Sequence, residues 1–127
     1  LRRLLSYQDI ELIVLDMPAY YIHLDEAFVP VDKNKVLCST FILPFWFLKM
    51  LKEKGYEIIE TDRDDPMLTN NCLAIAPGKV IFPEIGVRTR KNLEKAGVEV
   101  LPVDVSEINK LGGGIHCATL PLWRESI

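Results

Sequence analysis

The sequence predicts a mixed α/β fold built from repeated units, each consisting of a β-hairpin, an α-helix and a β-strand. This prediction depends on two observations: the order of elements occurs twice along the 127 residues, and each helix is followed by a glycine and then an apolar strand. The two glycines, Gly55 and Gly97, lie 42 positions apart, and Lys35 and Lys79 in the hairpins lie 44 apart. Such a period is typical of a repeat architecture, and the chain length fits one domain.

The first unit is predicted over about residues 20–61. Its turn-rich tetrapeptide Asp32–Lys35 separates two apolar stretches and indicates a β-hairpin. Pro44 is typical of the first turn of a helix, and Gly55 of the position just past its end. The predicted elements are two hairpin strands, a helix and a closing strand: Ala27–Val31, Val36–Cys38, Pro44–Lys54 and Tyr56–Glu60.

The second unit is predicted over about residues 71–104 with the same order of elements. Pro77 and Gly78 form the hairpin turn, and Gly97 ends the helix. The predicted elements are again two strands, a helix and a strand: Cys72–Ala76, Val80–Phe82, Arg88–Ala96 and Val98–Val103.

The two ends of the chain look like parts of further units. Arg3–Asp16 is predicted to hold the last helical turn and the strand of a preceding unit, and residues 115–122 a closing strand. Residues 1–127 are therefore interpreted as a single partial domain. Because repeats bury their apolar faces against neighbours, we expect an exposed flank, and association with another copy or with the missing part of the fold.

Composition excludes several classes of partner. The formal net charge of -3 and pI near 5.4 give no basic surface for nucleic acid or an anionic membrane. The most apolar run, Phe41–Leu51, contains a proline and a lysine and is well short of the ~20 residues that cross a bilayer. Three cysteines without paired spacing argue against a disulfide framework, so a cytoplasmic protein is expected.

Cys117 is the candidate nucleophile, because a cysteine attacks as its thiolate and a nearby imidazole favours that form. His23 and Asp25 alternate along an apolar segment and are predicted to project from the same side of a strand, as a general acid and base beside a carboxylate. His116 is predicted to point away from Cys117, since neighbours on a strand face opposite sides, and to have a structural role. A buried, inert cysteine is the alternative for Cys117.

Metal binding is a weak hypothesis for these residues. His23, Asp25, His116 and Cys117 offer suitable ligand types, but the sequence has no CxxC, HxxxH or HxxE spacing. No metal and no cofactor are therefore expected.

Three sequence segments together resemble a known enzyme superfamily. They are HLDEAF from His23, then NCLAIAPGKVIF with AGVEVLPVD, and last the glycine run ending in HC with PLWRE after it. In this order they are similar to the guanidine-modifying arginine deiminases, amidinotransferases and dimethylarginine dimethylaminohydrolases, over about Tyr21 to Glu125. The resemblance implies the pentein α/β propeller of five units, of which this chain would hold about two and a half, from the C-terminal part.

The resemblance also implies roles for individual residues. Cys117 would attack the central carbon of a guanidinium or amidine group and form a covalent thiouronium intermediate, and His23 would protonate the leaving amine and later activate water. Asp25 would bind the guanidinium nitrogens by paired charge-assisted hydrogen bonds. The implied substrate-binding residues are Asp25, Asn71, Gly113 and Gly114.

The sequence departs from the superfamily pattern in two respects. The stretch Leu111–Ile115 lacks the arginine with which arginine deiminases usually engage the substrate carboxylate, which argues against free arginine as substrate. Too little sequence precedes His23 to supply the further site carboxylates of the family. The predicted function is a C–N hydrolase of a small guanidino or amidine substrate; the alternatives are an amidinotransferase with the same site and a non-catalytic pentein-like module.

Overall fold

The computed structural model describes residues 1–123, so Arg124 and Glu125 at the end of the PLWRE motif lie outside the described residues. Helix α1, Arg2–Ser6, confirms the predicted helical turn near the start of the chain. The strand predicted up to Asp16 is wrong, because residues 10–16 have no regular structure. A strand needs a hydrogen-bonded neighbour, and no backbone hydrogen bond joins residues 11–16 to any other described residue.

The first predicted unit forms a three-stranded sheet with one helix. Strands β1 and β2 pair antiparallel as the expected hairpin, and β3 pairs parallel to β2 after the helix crosses over. Gly55, at φ +83°, follows the helix and lets the chain turn directly into β3. The elements are β1 Phe28–Pro30, β2 Lys35–Cys38, α2 Phe45–Glu53 and β3 Glu57–Glu60.

The second sheet repeats this topology with a parallel third strand after a helix. β4 pairs antiparallel with β5, and β5 pairs parallel with β6, so the strand order corresponds to that of the first sheet. The elements are β4 Leu73–Ala76, β5 Lys79–Pro83, α3 Val87–Lys95 and β6 Glu99–Val103, followed by the short helix α4 Ser106–Asn109. Each predicted helix and strand between residues 27 and 103 is present, with bounds that differ by a few residues.

One hydrophobic cluster of the core contains residues of both units and joins them. Alternation along β2 sends Val36 and Cys38 toward α2, while Leu37 points to the opposite face and packs with Val80 and Leu93 of the second unit. The two hairpin turns also meet, since the Gly78 N–H donates to the Val31 carbonyl at 2.9 Å. This packing fixes the start of β1 relative to the start of β4, where the site described below lies.

The closing strand predicted for residues 115–122 is absent. Residues 115–118 form a turn in which the Ala118 N–H donates to the carbonyls of Gly114 and Ile115, and residues 119–123 form no strand. Within the described residues this segment joins neither of the two sheets. None of the helices within residues 1–123 is long and apolar enough to cross a membrane.

Candidate active site

Three segments that precede or follow the sheets meet at one place. The first, residues 23–26, leads into β1; the second, residues 70 and 71, leads into β4; the third is the turn 115–118 after α4. A direct link between the first two is the Asn70 side-chain amide, which donates to the Asp25 carbonyl at 3.1 Å. The two units therefore contribute equivalent ends to a common site.

His23, Asp25 and Cys117 lie together in space although 92 positions separate the second from the third. An imidazole nitrogen, a carboxylate oxygen and the thiol sulfur of these residues all lie within 4.8 Å of one another. His23 and Cys117 are exposed, and Asp25 is mostly buried. The sequence analysis singled out these residues by type, and the superfamily resemblance grouped them at one site; the structure brings the three groups into one cluster.

The predicted strand that carries His23 and Asp25 is wrong. Leu24–Glu26 is a short 3-10 helix, and His23 directly before it has extended backbone. The reason is local, because the Glu26 carboxylate accepts hydrogen bonds at 2.9 Å from the N–H groups of both Ile22 and His23 and folds the segment back on itself. Alternation of apolar and polar residues does not report such a side-chain contact.

Cys117 is held by a reciprocal pair of hydrogen bonds with Asn71. The Asn71 Nδ2 amide donates to Cys117 Sγ, and the Cys117 backbone N–H donates to Asn71 Oδ1, both at 3.2 Å. Asn71 itself is fully buried, so it offers a fixed platform for an exposed thiol. Donation by the amide stabilises negative charge on sulfur.

The other two cysteines have the opposite environment. Cys38 and Cys72 are fully buried in the core, and burial raises the pKa of each thiol to about 12. For Cys72 the negative charge of nearby Asp25 adds to the increase in pKa. Among the three thiols, Cys117 is therefore the one that a solvent-borne electrophile can reach.

Gly114 permits the contact between the Cys117 turn and Asn71. A Cβ atom at position 114 would lie 2.5 Å from Asn71 Oδ1 and 2.8 Å from its Cγ, well inside van der Waals contact. At Gly113 a Cβ would meet Ile108 Cγ2 at 3.7 Å and Cys117 Cβ at 3.8 Å, which are ordinary distances. Of the two glycines predicted to be at the site, Gly114 is thus required by close packing and Gly113 borders the cysteine.

His116 does not point away from the site, and the prediction that it does is wrong. Its Nδ1 lies 2.6 Å from Asp25 Oδ2. The prediction assumed a strand, in which neighbours face opposite sides, whereas residues 115–118 form a turn that lets His116 and Cys117 contact adjacent parts of the same site. The predicted structural role of His116 stays a prediction, and the contact with Asp25 places its side chain at the site.

Asn70 belongs to the site and was missed by the sequence analysis. Its side chain is 2% exposed, accepts from Thr61 Oγ1 at 2.7 Å and donates to the backbone of Asp25. The signal for it in the sequence is its position directly before Asn71, which was already a predicted site residue.

The cluster has the parts of a nucleophilic site. An accessible thiol, an imidazole within reach of it and a buried carboxylate can form a covalent bond to carbon, transfer a proton and hold a cation. His23, Asp25 and Cys117 also offer one nitrogen, one oxygen and one sulfur ligand atom, which are donor types that suit zinc. A metal ion bound by these three residues would occupy the Cys117 sulfur and prevent it from attacking carbon.

Comparisons with known proteins agree on one group of enzymes. A family model for arginine deiminase matches residues 41–124. An arginine deiminase from Mycoplasma capricolum subsp. capricolum is 29% identical over 149 aligned residues, which cover 92% of this chain and 37% of that protein. A 2-nitroimidazole nitrohydrolase from Mycobacterium sp. (strain JS330) is 33% identical over 106 residues, covering 81% of this chain and 28% of that protein.

A solved structure resembles nearly the whole chain. It is an amidinotransferase from the saxitoxin biosynthetic pathway of Microseira wollei, with a TM-score of 0.83 and 19% sequence identity. The match covers 99% of this chain and 40% of that chain. At this identity the likeness shows a common mixed α/β fold, and the chain spans well under half the length of the proteins it matches.

Proposed function

The chain belongs to the arginine deiminase family, and we propose that it carries the nucleophile, the acid-base group and a substrate-binding carboxylate of an enzyme acting on guanidine or amidine C–N bonds. The observation that carries the proposal is the convergence of His23, Asp25 and Cys117 within 4.8 Å, with the thiol exposed. A non-catalytic module would have no need to keep these three groups together at an accessible surface.

The proposed reaction has two covalent stages. The Cys117 thiolate attacks the central carbon of the guanidinium group, and the tetrahedral adduct expels an amine that takes a proton from His23. The remaining thiouronium carbon stays bonded to sulfur. Water, losing a proton to His23, then attacks this carbon, and the C–S bond breaks to release a ureido product and the thiolate.

Asp25 supplies the charge that a cationic substrate needs. Guanidinium is a planar cation with several N–H donors, and a mostly buried carboxylate binds it more strongly than an exposed one would. A carboxylate oxygen of Asp25 lies within 4.8 Å of the Cys117 sulfur, so a guanidinium bound to Asp25 has its carbon within reach of the thiol.

The nitrohydrolase relative supports this choice of electrophile. The 2-nitroimidazole in its name carries its nitro group on a carbon bonded to two ring nitrogens, and the central carbon of a guanidine or amidine is likewise bonded to at least two nitrogens. The proposed feature common to the substrates is therefore a carbon flanked by nitrogens. Because residues 111–118 contain no arginine, we propose a guanidino or amidine compound other than free arginine.

We further propose that the site is completed by polypeptide beyond these two units. The outer face of the second sheet leaves Leu101 and Val103 37% and 41% exposed, as expected for a repeat that lacks its neighbour. The polypeptide packed against this face would be the remaining part of a five-unit pentein propeller or another copy of this chain. The proposed location of the protein is the cytoplasm. Light scattering of the chain alone is expected to show association, and a compact, fully active monomer would contradict this.

Replacement of the nucleophile tests the proposed activity. In the complete protein, Cys117→Ala is expected to abolish formation of ureido product from a panel of guanidino and amidine compounds. Cys38→Ala removes a buried thiol instead and is expected to retain turnover, apart from any loss of stability. Undiminished turnover by Cys117→Ala would overturn the assignment.

An acceptor amine distinguishes hydrolase from amidinotransferase. A hydrolase forms ureido product in water alone, whereas a transferase passes the amidino group from Cys117 to the amine. We expect product without an acceptor. Turnover that occurs only when the amine is present would instead support the transferase, which uses the same Cys117 and His23.

A further inference from the structure

We propose that His116 is a positioning residue that holds the Asp25 carboxylate in the orientation required to bind a cationic substrate. This inference rests on the proposed function, because it assigns to Asp25 the task of binding an amidinium or guanidinium group. It adds a residue that the sequence analysis had separated from the site. The contact at issue joins His116 Nδ1 to Asp25 Oδ2 at 2.6 Å.

The Asp25 carboxylate depends on His116 because it makes no other side-chain hydrogen bond among the described residues. Its side chain is 16% exposed, and its second oxygen, Oδ1, is buried without a hydrogen-bond partner among the described residues. A carboxylate group rotates readily about its last bond unless an oxygen is held. Donation from His116 Nδ1 to Oδ2 fixes the plane of the carboxylate, and thereby the direction in which it meets a planar cation.

His116 is itself fixed by its turn. Its carbonyl accepts hydrogen bonds from the Thr119 backbone N–H at 3.0 Å and from Thr119 Oγ1 at 2.9 Å. Neighbouring Cys117 is held separately by Asn71. The turn therefore sets two distances at once, that of the thiol from its amide support and that of the imidazole from the carboxylate.

This division of contacts predicts a selective defect. Loss of the His116 side chain leaves both Cys117 hydrogen bonds in place, so the thiol should keep its reactivity toward neutral electrophiles. The same loss removes the hydrogen bond that holds the Asp25 carboxylate and should weaken its binding of a cation. A merely structural role for His116 would lower both reactivities together.

Two small alkylating reagents of matched shape separate these effects. 2-Chloroacetamidine is a planar cation at neutral pH, and 2-chloroacetamide is its neutral counterpart; in each case the Cys117 sulfur displaces chloride and forms a thioether. The measurement is the ratio of the two inactivation rate constants in the complete protein, each divided by the rate of the same reagent with a free small thiol. The parent protein is expected to prefer the amidine, and Asp25→Asn to lose that preference.

For His116→Ala we expect the amidine preference to fall by about tenfold or more, with the chloroacetamide rate changed less than about threefold. His116→Asn, which keeps a donor N–H at nearly the position of Nδ1, should restore the preference to within about threefold of the parent. Lys110→Ala is the control, because it removes an exposed ion pair with Glu107 at α4 and leaves the hydrogen bonds of His116 and Asp25 in place. Its preference should equal that of the parent.

The outcomes distinguish failure of this inference from failure of the proposed function. A parent protein without any amidine preference would contradict the role of Asp25 itself. A parent with the preference and His116→Ala with the same or greater preference would overturn only the role of His116. Should His116→Ala not fold, His116→Leu keeps the side-chain volume without the donor and is judged by the same ratio.

Discussion

Asn71 and Cys117 form a closed pair in which each donates one hydrogen bond to the other, both at 3.2 Å. The pair joins the second repeat unit to the turn after α4, across 46 positions of sequence. Since Asn71 is fully buried and Cys117 exposed, the rigid partner lies in the core and the reactive partner faces solvent. The position of the thiol thus depends on the packing of the core.

Asn71→Asp is expected to lower the reactivity of Cys117. The substitution removes the amide donor and places a carboxylate beside sulfur, and both changes disfavour the thiolate. We predict at least a ~10-fold slower reaction of Cys117 with iodoacetamide at pH 8. Asn34→Asp makes the same chemical change in the exposed turn of the first hairpin and should react as the parent does; an equal loss in both variants would contradict the role of Asn71.

Gly114→Ala is expected to disturb the site, whereas Gly113→Ala should not. An added Cβ at position 114 overlaps the Asn71 side chain at 2.5 Å, and at position 113 it meets other atoms no closer than 3.7 Å. Overpacking of this kind typically costs about 1–3 kcal/mol. In Gly114→Ala alone, the free energy of unfolding measured by chemical denaturation should fall and the labelling of Cys117 should slow. Equal stability and equal labelling rates in the two variants would contradict the packing of Gly114 against Asn71.

Asn70→Ala is expected to reduce the free energy of unfolding by about 1–3 kcal/mol, because it leaves the buried Thr61 hydroxyl without its acceptor. It also removes the donor to the Asp25 backbone, so amidine preference should fall. Thr61→Val removes the other partner and keeps the link to Asp25. We expect it to lower stability while the amidine preference stays near that of the parent; a full loss of preference would contradict this separation.

Because two thiols are buried, we expect the free energy of unfolding to decrease at alkaline pH. Cys38 and Cys72 have a folded-state pKa raised by burial from the ordinary 9.0 to about 12. Their contribution is fully present below the unfolded-state pKa near 9 and is lost as pH rises toward 12, because the unfolded chain releases these protons first. Each thiol adds a slope of at most about 1.4 kcal/mol per pH unit.

Cys72→Ala tests this slope directly. Between pH 9 and 11 its free energy of unfolding should fall less steeply with pH than that of the parent, whatever its stability at pH 7. Groups that titrate in both proteins cancel in the comparison. Parallel curves for the two proteins would show that the Cys72 thiol does not titrate as its burial requires.

The fold between residues 27 and 103 could be predicted because its signals are local. Pro44 at the start of a helix and Gly55 and Gly97 beyond helix ends act within a few residues, and the structure confirms the helices they indicate. Local signals could not determine whether the strands predicted near Asp16 and at residues 115–122 form. A strand exists by pairing with a neighbour, and neither segment forms a ladder with another strand within residues 1–123.

The site could be predicted by its residues but not by its geometry. The structure brings together three residues that the sequence singled out, His23, Asp25 and Cys117. The strand assumed for His23 and Asp25 was wrong, because the Glu26 carboxylate turns the backbone. The same assumption misplaced His116. Its contact with Asp25 spans 91 positions and depends on a turn, which no periodicity in the sequence reports.

The central claim is that Cys117 attacks the amidine-type carbon of the substrate. The most direct measurement is acid quenching of the complete protein during turnover of a guanidino compound, followed by peptide mass spectrometry. The account predicts an amidino adduct on the peptide that carries Cys117, none on the peptides with Cys38 or Cys72, and loss of adduct and turnover in Cys117→Ala. Turnover by Cys117→Ala at the parent rate, or an adduct confined to another residue, would contradict it.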